Sequence, residues 1–275
     1  MTAQYAVFGQ PVSHSKSPFI HRAFAAQRSE TLTYERIGPA EEDFEEAVRT
    51  FFAEGGKGAN VTLPFKERAY AMCDVRTERA EVAQAVNTLW MEGDQLHGDN
   101  TDGPGMLADM VRHNNWKILN KRVLVLGAGG AVRGVLNCIF DAGVKEVVVT
   151  NRTLSRAEEL AQHFSERGDI TAVPMEDLAA QESFDLIING TAASLAGADL
   201  ELPVSLLATG VYCYDMMYAA KPSPFLQWAS DHGASTSDGL GMLVEQAAES
   251  FYRWHGWRPG TVSVIQALRE EVSLV

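Results

Sequence analysis

The sequence predicts an α/β fold in two units, the second a doubly wound parallel sheet. Apolar runs of strand length alternate along the chain with segments of helical periodicity. One of these runs, Arg122–Leu126, passes through a glycine-rich turn into a helical segment, the order that a dinucleotide site requires. The 275 residues suffice for two domains or one large one, and 46% apolar residues is ordinary for a globular chain.

The first hundred residues read as a compact α/β unit. Residues 5–9 form a short buried strand ending at Gly9. Ser17 and Pro18 open a helix, Ser17 as its N-cap and Pro18 at the first helical position. Residues 32–37 alternate like a strand, and residues 41–53 place Phe44, Val48, Phe51 and Phe52 at helical spacing. A third strand covers 57–63 and stops at Pro64. Residues 86–90 and 95–97 pair as a hairpin across Gly93 and Asp94.

In the second unit, the strand at 122–126 is apolar from Val123 onward, as a sheet covered on both faces demands. The helix after the glycine turn runs to about Asp141. Strands at 146–150, 184–189 and 211–215 and a helix at 155–164 complete an alternating pattern. There is no internal repeat and no low-complexity tract.

Composition narrows the function. A formal charge of −13 excludes a general nucleic-acid binder, because phosphate would be repelled; a few local donors can still hold one small anion. Cys73, Cys138 and Cys213 stand far apart with no CxxC pair, so no metal site or disulfide framework is expected, and the thiols suit a reducing cytoplasm. The N-terminus lacks the basic start of a signal peptide, and no apolar run is long enough to span a bilayer.

The glycine turn points to a nucleotide cofactor. Gly127 permits the tight turn, Gly129 lets a pyrophosphate approach the backbone, and Gly130 and Ala131 begin a helix whose free N–H groups face the phosphates. Val132 stands where the fingerprint has its third glycine or alanine. After the next strand, an NAD site would place an acid; here the residues are Asn151, Arg152 and Thr153, with Arg156 one turn on and no acid before Glu158. Two guanidinium groups and a hydroxyl suit a 2′-phosphate, so the expected cofactor is NADP. The bland alternative is that Arg152 and Arg156 are a solvated i,i+4 face.

Two short polar segments carry the chemistry. Asn60-Val61-Thr62-Leu63-Pro64-Phe65 leads to Lys66, with Asn60 and Thr62 on one strand face. Gly98-Asp99-Asn100-Thr101 leads to Asp102 and Gly103. A lysine and a carboxylate at two strand ends can form a proton-transfer pair. Asn87 and Thr88 add neutral polar groups beside a strand. His14, His21 and His97 lack metal-ligand spacing and read as structural or surface residues. Ser13, Ser15 and Ser17 put hydroxyls at a helix start, which is either capping or a site for a carboxylate.

Together these residues resemble the shikimate dehydrogenase family. The resemblance rests on Ser15-Lys16-Ser17-Pro18, the segment from Asn60 to Lys66, Ala85-Val86-Asn87-Thr88, the segment from Gly98 to Gly103, Gly127 to Ala131, Asn151-Arg152-Thr153, and Asp238-Gly239-Leu240-Gly241-Met242-Leu243 with Gln246. They occur in the family's order over nearly the whole chain. The resemblance implies a discontinuous substrate domain, residues 1–102 and the C-terminal helices of 239–275, around a Rossmann-type NADP-binding domain at 103–238, with substrate and nicotinamide meeting in the cleft. It implies Lys66 and Asp102 as the catalytic pair. Ser15 and Ser17 would bind the substrate carboxylate, while Thr62, Asn87, Asp102 and Gln246 bind or position the ring. Thr191, Met217 and Gly239 would join the glycine turn and the arginines in holding the cofactor. The expected reaction is reversible reduction of 3-dehydroshikimate to shikimate with NADPH, in the shikimate pathway of aromatic amino-acid biosynthesis, by a monomer or homodimer. The competing expectations are a dual quinate/shikimate dehydrogenase and a non-catalytic NADP sensor. Two residues depart from the family pattern: Ser194, where glycine is expected in the loop 189–194, and Ser223, where threonine is common; separately, a loop near 192–197 could close over the cofactor.

Overall fold

The computed structural model describes residues 2–191 and 202–273, so the loop expected at 192–197, with Ser194, lies outside the described residues. The chain divides into two compact units: Met1–Gly105 with Leu243–Gln266, and Met106–Met242 with Ala267–Val275.

The first unit opens with β1 (Ala3–Phe8), α1 (Ser17–Ala26), β2 (Leu32–Ile37) and α2 (Phe44–Ala53). It continues with β3 (Gly58–Val61), α3 (Lys66–Met72), β4 (Val75–Arg76), α4 (Glu78–Ala83), β5 (Thr88–Glu92) and β6 (Gln95–Asp99). α5 (Asp102–Ala108) then leads away. The strands make one mixed sheet in the order β2-β1-β3-β5-β6-β4. β1 pairs parallel with both β2 and β3, whereas β5 runs antiparallel to β3 and to β6. The apolar stripe of α2 explains its docking: Phe44 and Val48 are fully buried, and Phe44 stacks on Phe65 at 4.4 Å with the rings 10° apart. Phe8, Val61, Phe65 and Leu89 lie in the same core. Burial of each such side chain contributes about 1.5–3 kcal/mol.

Two local expectations are corrected. Ser17 is the first helical residue of α1 rather than its cap; Lys16 holds the cap position and Pro18 follows inside the first turn. β3 ends at Val61, before Thr62, because the chain already turns there, Phe65 N donating to Thr62 O at 3.0 Å.

The second unit contains β7 (Arg122–Leu126), α6 (Gly130–Asp141), β8 (Glu146–Thr150), α7 (Leu154–Phe164), β9 (Ile170–Ala172) and β10 (Phe184–Asn189). β11 (Leu207–Asp215), α8 (Pro224–Asp231) and β12 (Ser235–Asp238) follow, and α9 (Leu240–His255) and α10 (Val262–Ser273) end the chain. The order β12-β11-β10-β7-β8-β9 is parallel at every pairing. This is a doubly wound sheet whose direction of winding reverses between β7 and β10, where such sheets bind their ligands. β11 begins at Leu207, earlier than the apolar run suggests, with a register shift in its pairing to β10.

The boundaries differ from the expected ones at both ends of this unit. Residues 239–242 belong to it, since Gly239 N donates to Met217 O at 3.0 Å and Gly241 lies against Asp109. Residues 267–275 also belong to it, not to the first unit, because Arg269 donates to Asp238 Oδ2 at 2.7 Å.

Val132, the departure from the glycine fingerprint, has a structural partner. It is fully buried, and a Cβ on Gly190 would come 2.3 Å from its Cγ2. Bulk present at Val132 is thus matched by bulk missing at Gly190, just after β10. Gly190→Ala should destabilise the protein by about 1–3 kcal/mol through overpacking. In Val132→Ala/Gly190→Ala the loss should be smaller than the sum of the two single losses. Calorimetric melting of the three variants checks this, and additive losses would show that the two positions do not share one space.

Candidate active site

Lys66 is anchored from both sides. The preceding Phe65 is locked in the core against Phe44, and Lys66 O accepts a hydrogen bond from Val86 N at 2.9 Å. Lys66 is the first residue of α3, and its Nζ lies 2.6 Å from Asp102 Oδ2. The two side chains retain 23% and 10% of their exposure, so the pair is largely shielded yet reachable.

Asp102 is the first residue of α5, where the helix dipole favours a carboxylate. The turn leading to it is held by side chains. Asn100 N donates to Asp99 Oδ1 at 2.7 Å, Thr101 N to Asn87 Oδ1 at 2.9 Å, and Asp102 N to Asn100 Oδ1 at 3.1 Å. Burial raises the proton affinity of the Asp99 carboxyl. The hydrogen bonds and charge of Arg79, with help from Thr77 and Asn100 N–H, outweigh this and hold it below the usual carboxylate range.

The side chain of Asn87 is oriented by its partners. Its Oδ1 accepts from Thr101 N, from Thr101 Oγ1 at 3.1 Å and from Thr88 Oγ1 at 2.9 Å. Its Nδ2 therefore faces Asp102 Oδ1 at 2.9 Å, with Gln246 Oε1 at 3.3 Å. Each oxygen of Asp102 thus has a donor, Asn87 on one and Lys66 on the other. Gln246, on α9, is itself tied to Leu243 O at 2.8 Å.

Behind this layer lies a buried polar cluster that sequence reasoning largely missed. Asn60 Oδ1 accepts from Tyr34 OH at 2.7 Å and pairs with His21 Nε2 at 3.2 Å. Its Nδ2 donates to Asn87 O and to Ser250 Oγ, both at 3.0 Å. Ser250 Oγ also meets Thr88 Oγ1 at 2.7 Å. The sequence did place Asn60 on a polar strand face. The available signal for Ser250 was its position one helical turn after Gln246. His21 is fully buried and stacked on Tyr34 at 4.5 Å, so it is structural, while His14 is exposed.

Ser15 and Ser17 lie together: Ser15 Oγ donates to Ser17 Oγ at 3.2 Å and accepts from Ser17 N at 3.3 Å. Arg36 fixes this segment through two bonds to Ser15 O, at 2.9 and 2.7 Å. Thr62 is half-buried, its main-chain N–H bonded to Phe8 O at 2.8 Å and its methyl packed where Gly9 has no side chain.

In the second unit the residues expected to bind the nucleotide follow the strands on its switch-point side. Gly127 follows β7 with φ +105°, a conformation that favours glycine, and Thr191 follows β10 close beside it. Gly129 caps α6, and a Cβ built on it would meet nothing within 4 Å, leaving open space before the helix N-terminus. Gly130 and Ala131, in the first turn of α6, are exposed. Thr153 caps α7, and Asn151 Nδ2 donates to Thr153 O at 2.9 Å. Arg152 and Arg156 are exposed, and neither has an ion-pair partner among the described residues. Thr191 Oγ1 donates to Asn189 Oδ1 at 2.7 Å, and Met217 N to Asp215 Oδ1 at 3.0 Å. Gly239 lies against Met216 O, where a Cβ would come within 2.2 Å. Ser223 Oγ donates to Asp215 Oδ2 at 2.6 Å and accepts from Leu226 N, capping α8. Open space at the N-terminus of α6, and two guanidinium groups after β8 that are unpaired among the described residues, fit the phosphates of NADP.

An open helix N-terminus at the switch point of a doubly wound sheet, and a shielded lysine–carboxylate pair in the other unit, are features of the nucleotide-dependent oxidoreductase class. Three family models agree in the family they indicate. The shikimate dehydrogenase substrate-binding domain matches residues 7–89, shikimate / quinate 5-dehydrogenase matches 109–198, and the shikimate 5′-dehydrogenase C-terminal domain matches 239–269. A shikimate dehydrogenase (NADP(+)) of Alkalilimnicola ehrlichii is 53% identical over 98% of this chain and 100% of its own. Among solved structures, an Ael1 enzyme from Pseudomonas putida has a TM-score of 0.92 at 42% identity, covering 97% of this chain and 98% of its own. Shikimate 5-dehydrogenase of Thermus thermophilus, in complex with NADP(H) and shikimate, has a TM-score of 0.87 at 32% identity, covering 98% of this chain and 99% of its own. The chain belongs to the shikimate dehydrogenase family.

Burial holds the His21 imidazole down at about 3, with the Asn60 bond pulling upward and His255 adding to the depression. The unfolded chain takes up this proton near its ordinary value of about 6.5. The stability contributed by neutral His21 is therefore present above that value and is lost as pH falls from about 6.5 toward about 3. Between pH 7 and pH 5, His21→Gln should lose roughly 2 kcal/mol less stability than the parent chain. Urea unfolding at the two pH values checks this; equal losses would mean that His21 does not titrate on unfolding.

Proposed function

We propose that this chain reversibly reduces 3-dehydroshikimate to shikimate with NADPH, using Lys66 and Asp102 as its acid–base pair. The observation that carries the reading is the 2.6 Å contact between Lys66 Nζ and Asp102 Oδ2 in a shielded polar setting. Relatives at 49–53% identity are named NADP-dependent shikimate dehydrogenases, in agreement with the chemistry of Arg152 and Arg156.

Bound NADPH supplies a hydride to the substrate carbonyl carbon, and NADP accepts it in the reverse direction. Lys66, as ammonium, gives an Nζ proton to the carbonyl oxygen as negative charge develops there, and regains a proton from solvent. In shikimate oxidation, neutral Lys66 takes the hydroxyl proton. Asp102 holds Lys66 and a ring hydroxyl in register, with its own orientation set by Asn87. Thr62, Asn87 and Gln246 receive ring hydroxyls, and the Ser15 and Ser17 hydroxyls receive the substrate carboxylate. Gly127, Gly129, Gly130 and Ala131 leave room and N–H groups for the cofactor's phosphates. Asn151, Arg152, Thr153 and Arg156 hold its 2′-phosphate, and Thr191, Met217 and Gly239 line the remainder. The family model over 109–198 carries the names of both shikimate and quinate, which makes quinate the competing substrate.

Lys66→Ala should lower kcat by about 10²–10⁴-fold with a far smaller change in substrate KM. Steady-state kinetics in both directions test this, and an unchanged kcat removes Lys66 from the chemistry. Arg152→Ala should raise KM for NADP about tenfold or more while leaving turnover with NAD unaltered. Equal losses with both cofactors would assign the arginine a structural role.

A further inference from the structure

The acid–base pair is only as well placed as the turn that carries Asp102. In that turn the three consecutive main-chain N–H groups of Asn100, Thr101 and Asp102 each end on a side-chain oxygen. Asp99 begins the series. Its carboxylate is wholly buried, and Arg79 grips it at both oxygens, Nε to Oδ1 at 2.6 Å and Nη2 to Oδ2 at 2.5 Å. Thr77 Oγ1 adds a bond to Oδ1 at 2.6 Å, and Arg253 stands 3.8 Å from Oδ2. The same Nη2 of Arg79 also lies 3.4 Å from Glu249 of α9, and Glu249 is paired with Arg258 at 2.6 Å.

We propose that Arg79 is a positioning residue for the reaction. It acts through Asp99: the two-pronged grip fixes the plane of that carboxylate, which aims Oδ1 at Asn100 N. The chain of bonds through Asn100 then sets where Asp102 begins α5. This inference rests on the reading of Lys66 and Asp102 as the acid–base pair, and Arg79 contacts neither of them.

The physical argument turns on geometry rather than charge. A lysine in place of Arg79 would still neutralise Asp99, but as a point charge it cannot fix the carboxylate plane. Arg253, at 3.8 Å, is too far to replace the lost hydrogen bonds. A carboxylate free to rotate releases Asn100 N, and displacement of a catalytic group by about 1 Å can cost on the order of 10²-fold in rate. Glu249, itself paired with Arg258, tethers the guanidinium to α9, the helix that carries Gln246, and keeps it from following such a rotation.

The test uses the full-length protein with three variants: Arg79→Gln, Arg79→Lys and, as a control, Lys66→Ala. Turnover of shikimate with NADP is expressed per NADP-binding site, titrated by cofactor fluorescence, so that unfolded protein is not counted. Arg79→Gln should lose at least tenfold in kcat with KM for NADP unchanged, and Arg79→Lys should fall between it and the parent. If Arg79→Gln does not fold, Arg79→Lys, which keeps the charge, carries the test through a severalfold loss in kcat. Parental kcat per site in every Arg79 variant that folds, beside an inactive Lys66→Ala, overturns the positioning role and leaves the acid–base reading standing. Parental kcat in Lys66→Ala overturns that reading and this inference with it.

Discussion

The Asp102 carboxylate is the point on which the first unit converges. One oxygen receives Lys66 and the other receives Asn87, so the group has no freedom to rotate without losing a charge-assisted bond. Everything near it serves that restriction. Phe65 is stacked in the core so that Lys66 starts α3 in one place. Asn87 is held by its backbone between β3 and β6, Val61 N donating to its carbonyl and its own N–H reaching Asp99 O. Its amide is turned by Thr88 and Thr101 so that the nitrogen, not the oxygen, faces the carboxylate. A buried network of this kind contributes when every member has a partner and is costly when one is lost. On the proposed reading of Lys66 and Asp102, the same hydrogen bonds also place a proton donor and its partner before any substrate arrives.

The second unit solves a different problem with backbone rather than side chains. Its winding reverses between β7 and β10, which leaves the ends of those strands uncovered by a crossing connection. Gly127 and Gly190 each follow one of these strands, and both sit where added bulk would meet a neighbour. The open space at Gly129 and the guanidinium groups of Arg152 and Arg156, unpaired among the described residues, are features that bring no packing benefit to the protein alone. They make sense as provision for an anionic ligand.

Much of this was legible in the sequence because the informative residues are local. The strands at 122–126, 146–150 and 184–189 are built around apolar runs of three or four residues and fall at those bounds in the structure. β4, β9 and β12 were not legible: they are short, lie at the edges of their sheets and carry polar or half-exposed residues, so no alternation marks them. Thr62 looked like a strand residue, yet the strand ends one position earlier. The segments holding Lys66 and Asp102 announced themselves through polar residues in apolar surroundings. The layer behind them did not, because Asn60 and Ser250 are 190 positions apart and His21 is 39 from Asn60. Local periodicity carries no information at that range. The same holds for the last turns of α10, which fall in the second unit, where Arg269 meets Asp238 from 31 positions away.

The central claim is that this fold and this pair of side chains carry NADP-dependent shikimate dehydrogenation. The measurement that tests it most directly is formation of NADPH from NADP and shikimate by the purified chain, followed by absorbance, with quinate and NAD in parallel. The account predicts turnover with shikimate and NADP, and little with either replacement. Tight NADP binding with no turnover of shikimate would contradict it and leave a nucleotide-binding protein without this activity.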